Sequence, residues 1–192
     1  MNYFRIFASF LFFIILVTAG LSFLLPTSQK VDRSIDINAT AESIFQQLIK
    51  LENFNKFSVW SQQDSDAVYT LTGTDGTIGA TTSWKGNPEI SGEGSIKIIA
   101  LDPNKKVTHK LTFTKPKKRN AQSVFSLNET NKASTNVTWA FNMSTPRPWN
   151  IFNLLYSMDK QMGKDFEDGL MTLKAMIEGS KFFNLPAEIP AK

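Results

Sequence analysis

Three patterns of apolar and polar positions follow one another along the chain. Residues 6–25 carry no charge and are rich in Phe, Ile and Leu. From residue 31 apolar and polar positions alternate with a period of two, which predicts strands. From residue 150 the apolar spacing changes to three or four residues, which predicts one amphipathic helix over 150–178 that ends at Gly179. The apolar face of that helix is Ile151, Leu155, Met158, Met162, Phe166, Leu170, Leu173 and Ile177.

The alternating region contains one helical interruption. Residues 31–37 predict a first strand, and Thr40 is a good N-cap for a short helix whose apolar stripe includes Ile44 and Leu48. A less regular stretch follows, and residues 67–144 predict an antiparallel meander punctuated by Gly, Pro and Asn turns. The predicted fold class is therefore α+β, with six or seven antiparallel strands between a short helix and a long C-terminal helix.

The apolar start is long enough to cross a membrane. Twenty residues in a helix span about 30 Å of hydrocarbon. A cleaved signal peptide is the alternative, but its apolar region is usually about 7–15 residues, and no small-x-small cleavage pattern follows here. We predict a transmembrane anchor over 1–26, a linker over 27–30, a globular domain over 31–179 and a tail over 180–192.

Composition excludes several functional classes. The chain has 21 Lys and Arg against 17 Asp and Glu, so the excess of positive charge is small and predicts no nucleic-acid binding. The absence of cysteine excludes disulfides, thiolate metal sites and a cysteine nucleophile. Because no phosphate loop, histidine cluster or catalytic triad is found, we predict no cofactor, no metal and no catalytic residue. The basic cluster 115–119 is predicted to be a hairpin tip, either simply solvated or in contact with anionic lipid headgroups.

Several motifs resemble one branch of a known superfamily. They are Gly73, Gly76 and Gly79, Trp84-Lys-Gly86, Gly92-Glu-Gly94, Asn136-Val-Thr-Trp139, and Met162-Gly-Lys-Asp-Phe-Glu-Asp-Gly-Leu170 with Leu173-Lys174. Together they are similar to the bacterial polyketide cyclase/dehydrase-like branch of the SRPBCC, or START-like, superfamily. The resemblance covers residues 31–179 and implies a helix-grip fold, in which a curved sheet wraps around a long C-terminal helix. A Trp-Ser-Pro-Trp motif usual in that branch appears here as Phe57-Ser-Val-Trp60.

Localisation follows from the anchor and the resemblance. Arg5 and the terminal amine lie on one side of the apolar segment, and Lys30 and Arg33 lie on the other, so the positive-inside count is nearly balanced. An N-terminal signal anchor usually exports the domain that follows it. We therefore predict a single-pass protein of the bacterial inner membrane with its domain outside the cytoplasm.

Bulky residues on the facing surfaces of sheet and helix are the candidate ligand-binding residues. They are Trp60, Trp84, His109, Trp139, Phe141, Met162, Phe166 and Leu170. Each could instead be ordinary core, and His109, the single histidine, could be a core residue or a polar group of the pocket. Thr82 and Ser123 could add hydroxyl groups. Gly163 and Gly169 within the last helix indicate either close approach to the sheet or a flexible lid.

These observations predict a function in binding. A membrane-anchored domain would hold a hydrophobic small molecule or lipid between its sheet and C-terminal helix, with residues 6–25 in the membrane. A polyketide cyclase-like enzyme and a protein-interaction module without ligand are the alternatives, and the sequence identifies no protein partner.

Overall fold

The computed structural model describes residues 2–179, which form a seven-stranded antiparallel sheet with five α-helices and one 3₁₀ helix. The helices are α1 (Asn2–Leu24), α2 (Ala41–Leu48), α3 (Leu51–Phe57), α4 (Val59–Gln63), the 3₁₀ helix (Trp149–Leu154) and α5 (Met158–Glu178). The strands are β1 (Ser28–Ile37), β2 (Val68–Thr72), β3 (Thr81–Lys85), β4 (Glu93–Asp102), β5 (Lys106–Lys115), β6 (Arg119–Asn131) and β7 (Ser134–Ser144). The predicted α+β class with an apolar N-terminal helix and a long C-terminal helix is confirmed.

The strands β2 to β7 form a meander, and β1 joins its end by pairing with β7, so that the strand order is β1-β7-β6-β5-β4-β3-β2. A register shift in β4, between Ile98 and Ala100, places an extra residue opposite β5. Such a bulge bends a strand and increases its twist. The sheet curves around α5, which packs mainly against β1.

The last helix is confirmed from Met158 onwards, but its predicted first part is wrong. Residues 149–154 form the separate 3₁₀ helix, and α5 begins after Ser157, whose hydroxyl accepts a hydrogen bond from the Lys160 N–H. The side chain of Gln29 also accepts the Met158 N–H, at 2.7 Å. This capping from β1 starts a new helix, and it leaves Leu155 exposed on the surface.

Two other boundaries differ from the sequence prediction. Strand β1 begins at Ser28, so most of the predicted linker over 27–30 already pairs with β7. The less regular stretch around Phe54 and Trp60 forms the two short helices α3 and α4. The predicted tail over 180–192 lies outside the described residues.

Close approach to the sheet explains both glycines within α5. A Cβ atom at Gly169 would lie 2.8 Å from Cζ3 of Trp139 and 3.2 Å from the carbonyl oxygen of Phe57. A Cβ atom at Gly163 would collide with the guanidinium of Arg33. That guanidinium bridges Asp159 and Glu167 of α5, with nitrogen–oxygen distances of 2.7 and 2.6 Å. The ion pairs raise the pKa of Arg33 and lower the pKa of Asp159.

Candidate ligand cavity

A cavity of about 420 Å³ lies between the sheet, α3, α4 and the first turns of α5. Its wall is largely aromatic and aliphatic, with a few hydroxyl and amide groups. The strands contribute Tyr69, Trp84, Ile96, Leu111, Phe113, Ser123, Trp139, Phe141 and Met143. The helices contribute Phe54, Asn55, Ser58, Trp60, Ser61 and Met162. The volume falls within the range of about 300–1,000 Å³ that small-molecule sites occupy.

Trp139 separates the cavity from the packed core. Its indole N–H donates to the hydroxyl of Ser123 at 2.8 Å, which satisfies a buried donor. One side of the ring stacks on Phe125 at 5.0 Å between centroids, and Phe166 of α5 lies 4.3 Å away. The inner wall of the cavity is thus rigid and has no unsatisfied donor at Trp139.

Trp84 forms the wall nearer the opening. Its indole N–H donates to the carbonyl of Ser91 at 3.0 Å, and its ring makes an edge contact with Phe113, with centroids 5.7 Å apart. Because the indole donor is already bonded, Trp84 offers the cavity an apolar ring surface.

The loop 86–92 beside Trp84 is held by Asp64, which sequence reasoning missed. The carboxylate of this buried residue accepts the N–H of Asn87 at 2.8 Å and the hydroxyl of Ser91. A Cβ atom at Gly86 would collide with the same carboxylate, so only glycine fits there. The partners lie 23 and 27 residues from Asp64, so no local sequence signal identifies the contact.

The cavity opens between the loop 86–92 and the hairpin tip of β5 and β6. Glu89, Ile90, Lys115, Lys117 and Arg119 line this mouth, and all five are exposed. Lys115 pairs with Glu93 at 2.9 Å. The structure therefore confirms the predicted hairpin tip over 115–119 and places its positive charge at the opening of an apolar space.

Five of the eight predicted ligand-binding residues line the cavity. They are Trp60, Trp84, Trp139, Phe141 and Met162. Phe166 and Leu170 lie in the packed core with almost no exposed surface. Their spacing placed them correctly on the inner face of α5, but the sheet contacts that face directly at their level.

His109 is buried in the core and does not line the cavity. It lies between the rings of Phe54 and Phe125, with centroid distances of 5.8 and 6.0 Å. Neither ring nitrogen has a hydrogen-bond partner among the described residues. Burial without a partner lowers the pKa of His109 to about 4. Of the two predicted hydroxyl groups, Ser123 lines the cavity, whereas Thr82 is buried without lining it.

A second polar cluster joins α1 to the domain. The buried side chain of Asn150 donates to the carbonyls of Ser22 and Leu25, at 2.8 and 3.0 Å, and accepts the Ser22 hydroxyl at 2.5 Å. Arg147 donates to the same Ser22 carbonyl and lies over the ring of Phe23. The last carbonyls of a helix lack partners within the helix. Here the side chain of Asn150, 125 to 128 residues away, supplies the missing hydrogen-bond donors. We call this cluster the α1 junction.

Two further observations concern the described part of the chain. Within residues 2–179, one helix, Tyr3–Leu24, is long and apolar enough to cross a membrane. No group of three or more His, Asp or Glu residues suited to a metal ion is found in the same range.

Comparisons with known proteins place the fold. No protein-family model matches the sequence, and no curated protein matches it significantly. Norcoclaurine synthase from Thalictrum flavum, solved with a transition-state analogue, aligns with a TM-score of 0.61 and 10% identity over 79% of this chain and 95% of that chain. The same enzyme with dopamine and hydroxybenzaldehyde gives 0.58 and 13% over 80% and 88%. A protein from Chromobacterium violaceum gives 0.54 and 12% over 80% and 99%. These likenesses show that the chain has the helix-grip fold.

Proposed function

We propose that this protein is a membrane-anchored domain that binds a hydrophobic small molecule or a lipid in the cavity between its sheet and α5. The observation that carries the proposal is the apolar cavity itself, which opens to the outside through a basic mouth. A filled interior together with an exposed apolar patch would instead have favoured an interaction module.

The energy of an apolar space of this size supports an occupant. In cavity-creating mutants, each Å³ of void costs about 24 cal/mol, so a dry space of this volume would cost on the order of 10 kcal/mol. The total stability of a domain is only about 5–15 kcal/mol. Water can enter through the mouth, but a wall of aromatic rings offers it few hydrogen bonds. An apolar ligand removes that penalty.

The α1 junction supports an anchor that stays attached. If α1 were cleaved off as a signal peptide, the buried amide of Asn150 would lose its partners at Ser22 and Leu25. A buried polar group without a partner costs about 1–3 kcal/mol. A cluster built from both ends of the chain is consistent with an uncleaved helix in the membrane.

Native mass spectrometry of the full chain, released from detergent, tests the ligand. We expect an apolar adduct that organic extraction recovers and identifies. Leu111→Trp places a large ring into the cavity and should lower adduct occupancy at least tenfold. Ile99→Trp adds the same ring at an exposed position on the neighbouring strand and should leave it unchanged. Equal occupancy in both variants, or no adduct in the unaltered protein, contradicts the proposal.

A polyketide cyclase-like enzyme is the second candidate. It is favoured by the structural likeness to norcoclaurine synthase, an enzyme solved with two small aromatic compounds. Tyr69 and Glu89 place a phenol and a carboxylate at the cavity, where they could transfer protons. If this candidate is correct, the compound extracted from Tyr69→Phe differs in fragmentation pattern or chromatographic retention from the compound extracted from the unaltered protein, because cyclisation by proton transfer can leave the mass unchanged. The same compound in both, by fragmentation pattern and retention, supports binding alone.

A further inference from the structure

We infer that the exposed apolar residues after β7 insert into the surface of the bilayer that α1 spans, and so hold the cavity mouth against the lipid headgroups. This inference rests on the membrane anchor of the proposed function. The residues concerned are Trp149, Phe152, Leu154, Leu155 and Tyr156, which we call the 149–156 patch.

The strand register places the patch, the anchor and the mouth at one end of the sheet. Ser28, the first residue of β1, pairs with Ser144, the last of β7. The start of β4 lies at the same edge, because its first residue, Glu93, pairs with the last residue of β3, Lys85, and the last residue of β5, Lys115. Neighbouring strands lie about 4.8 Å apart, so the hairpin tip of β5 and β6 is roughly 10–15 Å from the start of β1. We call this end of the sheet the anchor-side edge.

The 149–156 patch is unusually apolar for a surface in water. Leu155 is 86% exposed, Leu154 66% and Trp149 61%. The rings of Trp149 and Phe152 lie stacked, with centroids 6.2 Å apart, and both are exposed. Trp and Tyr beside aliphatic residues are the composition of segments that lie in the membrane interface, and large exposed apolar patches mark contact surfaces.

The α1 junction joins the patch directly to the membrane helix. Asn150 and Asn153 belong to the 3₁₀ helix that carries the first three residues of the patch, and their side chains donate to carbonyls at the end of α1 and just after it. The exposed rings and methyl groups of Phe23 and Leu24 continue the apolar surface on the α1 side. Because the two surfaces are continuous and hydrogen-bonded, a bilayer that covers α1 reaches the patch as well.

The charges on the anchor-side edge select a lipid surface over an apolar protein partner. Arg147 lies beside the patch, and Lys117, Lys118 and Arg119 lie exposed on the hairpin tip. No carboxylate of residues 2–179 lies within ion-pair distance of these four side chains. Each basic residue near an anionic leaflet contributes about 1 kcal/mol of attraction. Glu89 at the mouth offsets part of this positive charge, and the apolar band beside the remaining excess of cations matches the acyl boundary and headgroups of an anionic bilayer.

This position determines where a ligand comes from. The mouth opens beside the hairpin tip, so an amphiphile can move from the leaflet into the cavity with its tail in the apolar space and its anionic head beside Lys117 and Arg119. The ligand class we infer is therefore an anionic amphiphile of the membrane.

Spin labels on single cysteines test the position, since the chain has no cysteine of its own. The full chain is placed in nanodiscs of phosphatidylcholine with about one third phosphatidylglycerol, and accessibility to oxygen and to an aqueous nickel complex is measured. Leu155→Cys reports on the patch and Phe12→Cys on the middle of α1. Ile78→Cys is the matched control, an exposed apolar residue in the loop at the opposite end of the sheet.

We expect the oxygen-to-nickel ratio at Leu155→Cys to be several-fold higher than at Ile78→Cys, as for a segment about 5–10 Å below the headgroup boundary. A ratio equal to the control overturns the inference. So does a label shielded from both reagents, which would indicate that a protein covers the patch. A label at Phe12→Cys that is open to nickel refutes the membrane anchor itself. Retention of an apolar adduct is measured separately, so ligand binding can stand or fail independently.

Discussion

The two ends of the space beneath the sheet differ in how they are filled. Away from α1, three phenylalanine rings are fully buried, and each of them contacts the ring of Trp139. They are Phe57, Phe125 and Phe166. At the anchor-side edge, Met143 comes from β7, the strand of Trp139, and Phe113 comes from β5, the strand of the buried His109, yet both remain partly exposed around the cavity. The strands are shared, and the difference lies in what packs opposite them. Stability is therefore concentrated at one end, which leaves the other end free to be hollow.

Removal of an aromatic ring from each end gives the largest expected contrast. Phe125→Ala leaves a void among fixed neighbours and should lower the free energy of unfolding by about 3–5 kcal/mol. Phe113→Ala enlarges a space that is already open and should cost about 1 kcal/mol or less. Urea unfolding of the full chain in mild detergent, followed by tryptophan fluorescence, measures both. Equal losses would contradict the division into a packed and a hollow end.

The second prediction uses His109 as a probe of the packed end. Its pKa is about 4 in the folded protein, against 6.5 for an ordinary histidine. Between these values the unfolded chain binds a proton that the folded protein excludes, so the free energy of unfolding falls as the pH falls. From pH 7.5 to pH 5 the expected loss is about 2 kcal/mol.

His109→Leu is the matched variant for this pH dependence. Since the chain has a single histidine, the variant should lack the loss between pH 7.5 and 5, while effects of carboxylates remain in both proteins. Parallel pH profiles for the two proteins would show that His109 is hydrated or hydrogen-bonded, and that the packed end is not dry.

The smallest contrast compares the two glycines of α5. Alanine is favoured over glycine within a helix by about 1 kcal/mol. At Gly169 the added methyl group meets Trp139 and the backbone of Phe57, and overpacking of that kind costs about 1–3 kcal/mol, so Gly169→Ala should be destabilising. At Gly163 it meets the Arg33 guanidinium, which must shift from its exposed ion pairs with Asp159 and Glu167, so Gly163→Ala should be less destabilising than Gly169→Ala. Thermal unfolding by circular dichroism distinguishes them, and a greater loss of stability for Gly163→Ala than for Gly169→Ala would contradict this prediction.

Most of the fold could be predicted because its signals are local. The alternation in β5, the N-cap at Thr40 and the stop at Gly179 each depend on neighbouring residues, and the structure has all three. The error at residues 150–157 is instructive. Ile151 and Leu155 continue the helical spacing, but side chains from β1 and from Asn150 itself decide where the helix begins.

The cavity could be predicted only in part, because its shape depends on contacts between residues far apart in the chain. The spacing shows which side of a strand or helix faces inward, and on that basis Trp84, Trp139 and Met162 were predicted as wall residues of the cavity that they line. The spacing does not show whether an inward-facing residue lies beside the cavity or in the packed core. Phe166 and His109, which are fully buried, therefore could not be distinguished from residues of the cavity wall. Asp64 and the α1 junction depend on pairs far apart in the chain, which no pattern in a single sequence reveals.

The connection between α1 and β1 is only three residues long, from Leu25 to Thr27. Three residues reach about 10 Å even when fully extended. If α1 spans a bilayer as proposed, the domain stays close to the membrane surface, and the proposed ligand would be exchanged only with molecules that reach that surface.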